Sequence, residues 1–179
     1  MSTNNIRSFK NISPSIGINT YIDSSAILIG EVSVGDDVSI WPLVAIRGDV
    51  NSISIGDRSN VQDGSVLHVT HKNKGNPDGF PLVIGEDVTI GHKCMLHGCT
   101  LGSRILVGMG AIIMDGVVVE DDVFIGAGTL IPPNKTLKSG YLYLGNPMKQ
   151  SRELTEAELL FLKKSAQNYV NFKNEYIND

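Results

Sequence analysis

The sequence predicts an all-β solenoid of stacked six-residue units, followed by a C-terminal α-helix. Three observations carry that expectation. Aliphatic residues recur at every sixth position through most of the 179 residues; 19 glycines accompany an aromatic share of only 6%; and after Leu137 the repeat gives way to a helix-start pattern. A period of six fits neither the 3.6 of a helix nor the 2 of a plain strand. It fits a short strand plus a tight turn, with the aliphatic side chain inward and a small residue or glycine at the crowded corner. One such unit cannot bury its apolar face alone, so stability has to come from stacking.

Composition narrows the function classes. Hydrophobic residues at 41% and charged residues at 19% are ordinary for a globular chain, here one domain or one domain plus an appendage. A net charge of -4 and no Lys/Arg run give no electrostatic case for nucleic acid. Met1 to Asn11 is polar, and no apolar run is long enough to span a bilayer, so the expected location is cytoplasmic, with no membrane partner. Cys94 and Cys99 do not make a disulfide framework.

In order, residues 1–15 read as an irregular polar lead-in, 16–150 as the solenoid and 151–179 as a terminal helix packing on it. Aliphatics fall at Ile16, Ile22, Leu28, Val34, Ile40 and Ile46, then at Ile55, Val61 and Leu67, then at Ile84, Ile90 and Leu96. A last run takes Leu101, Val107, Ile113, Val119, Ile125, Ile131 and Leu137. Three slips interrupt the register: Ile46 to Ile55 is three residues too long, Leu67 to Ile84 eleven too long and Leu96 to Leu101 one too short. The longest holds His71 to Phe80, a polar Gly/Pro-bearing stretch that reads as an exposed loop. The repeat resembles the hexapeptide pattern of left-handed parallel β-helices, whose coil is a triangular prism turn of three hexads. The resemblance implies left-handedness, against the usual crossover rule. Gly145-Asn146-Pro147 reads as a turn. Thr155 and Glu158 form a capping box, Leu154 and Leu159 have staple spacing, and positions 159, 162, 166, 169, 170 and 177 make an apolar stripe.

Grouping hexads in threes places Arg47, His68 and His97 just after the third aliphatic of successive coils, hence in one outward column. Residues of a column stack about 4.8 Å apart, so the two imidazoles can share a metal at nitrogen distances of about 2.0–2.1 Å. His92 lies in the second hexad's column with Asp63, beside Gln62. Extended chain from His92 to His97 spans at most about 17 Å, and around a corner His92 does not easily reach the same ion. A neighbouring subunit could supply it: a three-fold assembly would set one chain's His68 and His97 opposite the next chain's His92. Against this stand two plainer readings, surface histidines, or a single histidine acting as the general base of an acyltransferase that uses acyl-CoA.

Arg47-Gly48-Asp49, Asn60-Val61-Gln62-Asp63, His68 and Gly91 to Cys99 resemble the γ-class carbonic anhydrases and their bacterial γ-carbonic-anhydrase-like relatives, over nearly the whole chain. The resemblance implies a homotrimer with metal sites at its subunit interfaces, His68, His92 and His97 as ligands and Zn2+ as the ion, with Fe2+ or Co2+ also accepted. It implies hydration of carbon dioxide to bicarbonate by a metal hydroxide. Gln62 would then orient the water, and Arg47 would hold an anionic product or pair with Asp49 and Asp63. Some members place a tyrosine from the terminal helix near the metal. Tyr169 matches that position and equally fits the packing stripe. The chain departs from the family in one respect: its loop lacks the glutamates that pass protons to solvent in the best-known archaeal member. His71 offers an imidazole that could pass protons in their place, or is an inert loop residue. Cys94 reads as core, and Cys99 as nearer the surface and open to oxidation. A metal-bearing assembly subunit and a hydrolase of another small carbonyl or thioester compound remain alternatives.

Overall fold

The computed structural model describes residues 5–179, and in it the chain is the expected left-handed parallel β-helix with a C-terminal helix. Three inward columns run its length. Leu28, Ile46, Leu67, Leu96, Ile113 and Ile131 are paired coil to coil in unbroken succession, and all are buried. Ile40, Val61, Ile90, Val107 and Ile125 form a second column, and Val34, Ile55, Ile84, Leu101, Val119 and Leu137 a third. Each buried aliphatic side chain contributes about 1.5–3 kcal/mol of transfer free energy, so the interior is the main source of cohesion.

The corners turn through left-handed backbone. Leu43, Gly64, Lys93, Gly110 and Gly128 occupy one corner of successive coils, and all have φ between 55 and 71°. At Leu43 that conformation costs a non-glycine residue roughly 1–2 kcal/mol, tolerated because its amide is held by the Ser25 hydroxyl at 3.0 Å.

All three register slips fall at one corner, directly after the Arg47/His68/His97 column. The inward residues cannot shift without moving every later coil off its column, so the extra chain is extruded sideways. The first slip lets Ala45–Ile55 run on as one strand, with its register shifted against Ile27–Val34 between Gly30 and Val32. The second is the exposed loop 71–79, closed by the Thr70–Phe80 bridge. Asn51, from the first insertion, clamps the second by donating to the Thr70 and Asp78 carbonyls at 3.0 and 2.8 Å. The third slip draws Cys99 into the inward column of Ile53, Leu82 and Val117. Cys99 is therefore buried, contrary to the surface placement expected for it, and burial raises its thiol pKa. Cys94 is core as expected, its thiol pushed up to about 11 by burial.

The lead-in also differs from expectation. Ile6–Arg7 pairs in parallel with Leu28–Ile29 and extends the stack, while residues 1–4 lie outside the described residues. At the other end Tyr141–Leu144 and Lys149–Glu153 form an antiparallel pair across the Gly145–Pro147 turn. The terminal helix, α1 (Glu156–Asn178), starts at the expected capping box, with Thr155 and Glu158 bonded reciprocally. It lies along the prism face bearing Tyr21, Ser39 and Thr89. Leu162, Ala166 and Val170 of the stripe are buried, and Tyr169 packs edge-on to Trp41 at 5.7 Å. The stripe's ends, Leu159 and Ile177, are exposed. In their place the helix buries Ser165 and Lys173, whose ammonium reaches Asp37 at 2.9 Å and Asn174 at 2.6 Å. No helix among the described residues is long and apolar enough to cross a membrane.

Two measurements check this packing. Neither thiol should react with an aromatic disulfide reagent in the native protein, and both should react on unfolding; fast native labelling of Cys99 would contradict its inward placement. Thr155→Ala should lower stability by about 1 kcal/mol in denaturant titration, the usual cost of a lost N-cap.

Candidate metal centre

His68 and His97 lie in register on adjacent coils, their ring centroids 5.0 Å apart. The His68 Nδ1 and His97 Nε2 atoms face each other at 3.0 Å. The other nitrogen of each ring is committed: His68 Nε2 donates to Asp49 at 3.1 Å, and His97 Nδ1 donates to Asp115 at 2.6 Å. An ionised carboxylate can only accept, so these bonds fix both tautomers and leave two lone pairs pointing at one another. Two lone pairs at 3.0 Å repel unless a proton or a cation sits between them. Two nitrogen ligands of one tetrahedral zinc lie roughly 3.3 Å apart, so the pair fits an ion with little movement.

The electrostatics agree. Burial pushes the His68 pKa down and so favours its neutral, ligating form; the Arg47 and His97 charges act in the same direction, against Asp49. Burial alone would raise the Asp49 carboxyl, but hydrogen bonds from Arg47 and His68 outweigh it and hold the group below its usual value. Arg47 stands in the column as expected and pairs with Asp49.

His92 sits where the column arithmetic put it, level with Asp63 and immediately before the Lys93 corner. Its Nδ1 donates to Asp63 at 2.9 Å, and the ring is about half exposed on another face of the prism. The chain thus brings His68 and His97 together and keeps His92 apart. Among the described residues no cluster of three or more His, Cys, Asp or Glu is arranged to hold a metal within one chain.

Gln62 is buried beside His92, and its amide orientation is set from below. Nε2 donates to Asn60 Oδ1 at 3.1 Å, Asn60 donates to Thr89 Oγ1 at 3.1 Å, and Thr89 shares a hydrogen bond with Ser165 of α1 at 3.0 Å. Gln62, His92 and Tyr169 line one cavity of about 300 Å3. Burial raises the Tyr169 phenol, and Asp63's charge raises it further, so it remains a donor. Tyr169 thus packs on Trp41, as its place in the stripe requires, and also lines the cavity that holds His92. His71 is exposed in the loop and borders a separate cavity of about 330 Å3 with Asp49, Lys10 and Lys72.

Sequence reasoning missed Asp115, Thr70 and the Asn60–Thr89–Ser165 chain. Asp115 had one available signal: it stands one coil beyond the His97 corner, because Ile113 pairs with Leu96.

The hexapeptide-repeat model of succinyl-transferase matches residues 81–115. The chain is 60% identical to Protein YrdA of Escherichia coli over 96% of its own length and 94% of the relative's. It is 40% identical to a probable carbonic anhydrase of Methanocaldococcus jannaschii, over 87% of this chain and 93% of that one. A solved hexapeptide transferase family protein from Anaplasma phagocytophilum superposes with a TM-score of 0.89 at 41% identity, covering 96% of this chain and 97% of that one. With relatives of this identity over nearly their full extent, and the hexapeptide-repeat model matched within it, the chain belongs to the γ-carbonic-anhydrase-like family of hexapeptide-repeat proteins.

Proposed function

We propose that the protein is a homotrimeric metalloenzyme that hydrates carbon dioxide reversibly to bicarbonate, each site combining His68 and His97 of one subunit with His92 of the partner subunit. The observation that carries the reading is the pair of imidazole lone pairs held face to face at 3.0 Å by carboxylates on their far nitrogens. That arrangement suits a cation, and His92, with Asp63 on its Nδ1, presents a third nitrogen outward. The face between the two half-sites supports association. Leu43, Val66, Met95, Met109 and Ile112 are exposed there, an apolar strip that a second copy would cover.

Three neutral imidazoles suit Zn2+ and also Fe2+ or Co2+. When bound, such an ion supplies Lewis acidity that ionises water near neutral pH. The chain's own groups do the rest. Gln62, with its Nε2 given to Asn60, offers its carbonyl oxygen as an acceptor that orients a water proton. Arg47, braced by Asp49, offers a permanent positive charge to an anionic product. Tyr169, held protonated, closes the His92 side of the cavity as a donor.

A second reading has one observation in its favour: the superposable structure from Anaplasma phagocytophilum is described as a hexapeptide transferase. Acyl transfer would need a single histidine base and acyl-CoA, and would leave the paired carboxylate–histidine geometry without a purpose.

Purified protein should carry about one metal ion per chain and accelerate carbon dioxide hydration in stopped-flow assays. His97→Ala and His92→Ala should each lose the metal and at least about 100-fold in rate, given the Lewis-acid contribution to the barrier. A metal-free trimer that binds coenzyme A saturably and is indifferent to His97→Ala would overturn the metalloenzyme reading in favour of acyl transfer. Full metal occupancy without hydration would leave the assembly-subunit or hydrolase alternatives.

A further inference from the structure

We infer that Asp115 is a positioning residue for the metal centre: it fixes the tautomer and orientation of His97, with Thr70 as its brace. The inference rests on His97 being a metal ligand, as proposed above, and adds a group that neither the repeat nor the quoted motifs single out.

Three features converge on this carboxylate. Its Oδ1 accepts from His97 Nδ1 at 2.6 Å, the shortest of the three histidine–carboxylate bonds. Its Oδ2 accepts from Thr70 Oγ1 at 2.9 Å, so both oxygens are held and the carboxylate plane is set. The residue after His97 is Gly98, at a φ of +52°, and a Cβ there would lie 2.4 Å from Asp115 Oδ1 and 2.6 Å from Phe80 Cβ. A side chain at position 98 would thus occupy the space through which the carboxylate reaches the imidazole.

The arrangement also completes a pattern. Asp49 holds His68, Asp63 holds His92 and Asp115 holds His97, one carboxylate to the far nitrogen of each imidazole. Such outer partners orient a ligating ring and raise its basicity, and their loss commonly costs about 10–100-fold in metal affinity. Thr70 also pairs with Phe80 at the neck of the 71–79 loop and receives the Asn51 clamp on its carbonyl. Both earlier insertions therefore anchor the backbone of Thr70, whose hydroxyl braces Asp115. A carboxylate serving only its own turn would not need its oxygens shared between a histidine and a threonine from two other coils.

Zinc affinity of the full-length trimer, measured by competition with a chromophoric chelator, tests the role directly. Asp115→Ala should weaken zinc by about 10–100-fold, and Asp115→Asn, which still accepts from Nδ1 but lacks the charge, should lose less. The visible spectrum of the cobalt-loaded protein should shift in Asp115→Ala, which a purely structural role would leave unmoved. Unchanged affinity in Asp115→Ala, with binding abolished in His97→Ala, would overturn the inference and leave the metal reading intact. Retained stoichiometric zinc in His97→Ala would remove both. Should Asp115→Ala fail to fold, Thr70→Val takes its place: a several-fold loss of affinity supports the brace, and none overturns it.

Discussion

The structure depends on one constraint, the vertical stacking of inward aliphatic side chains from coil to coil. Because Leu28, Ile46, Leu67, Leu96, Ile113 and Ile131 occupy one column, each outward neighbour stands directly over its counterpart. His68 meets His97 for that reason alone: leucines at 67 and 96 share a level of the core. The parallel ladder also forbids insertions on its faces, since an extra residue would invert every side chain after it. Added chain can leave only at a corner, and here all of it leaves at the corner beside the histidines. The interior's intolerance of error thus concentrates the added chain, and the polar groups it carries, next to the His68/His97 pair.

The same constraint explains how much could be read without coordinates. The Arg47/His68/His97 column and the level shared by His92 and Asp63 follow from counting, because the period holds through those coils. The capping box at Thr155 was legible because it is local. What escaped depends on events after a slip or on side chains reaching round a corner. Cys99 was misplaced because the one-residue shortening before Leu101 turns it inward. Asp115 and Thr70 meet only because the loop neck returns to its own level. Lys173 and Ser165 were hidden by their polarity: a stripe read from apolar residues cannot find a lysine buried against Asp37, or a serine bonded to Thr89.

The terminal helix does more than cover a face. Through Ser165, Thr89 and Asn60 it reaches the amide of Gln62, and through Tyr169 it walls the cavity beside His92. The His68/His97 half is instead braced by the corner insertions. Two halves of a centre, supported by different parts of the fold and facing different directions, make sense if they meet across a boundary between subunits.

That division is the central claim, and subunit mixing tests it most directly. His92→Ala chains retain the His68/His97 pair, and His97→Ala chains retain His92. If each site joins adjacent subunits of a ring, neither variant alone completes a site, but any mixed trimer has one boundary where both intact halves meet. Co-refolded mixtures should therefore bind about one metal ion per mixed trimer and recover activity in proportion, while each variant alone binds none. A mixture as empty and inactive as its parents, with mixed trimers verified by mass, would contradict a shared site.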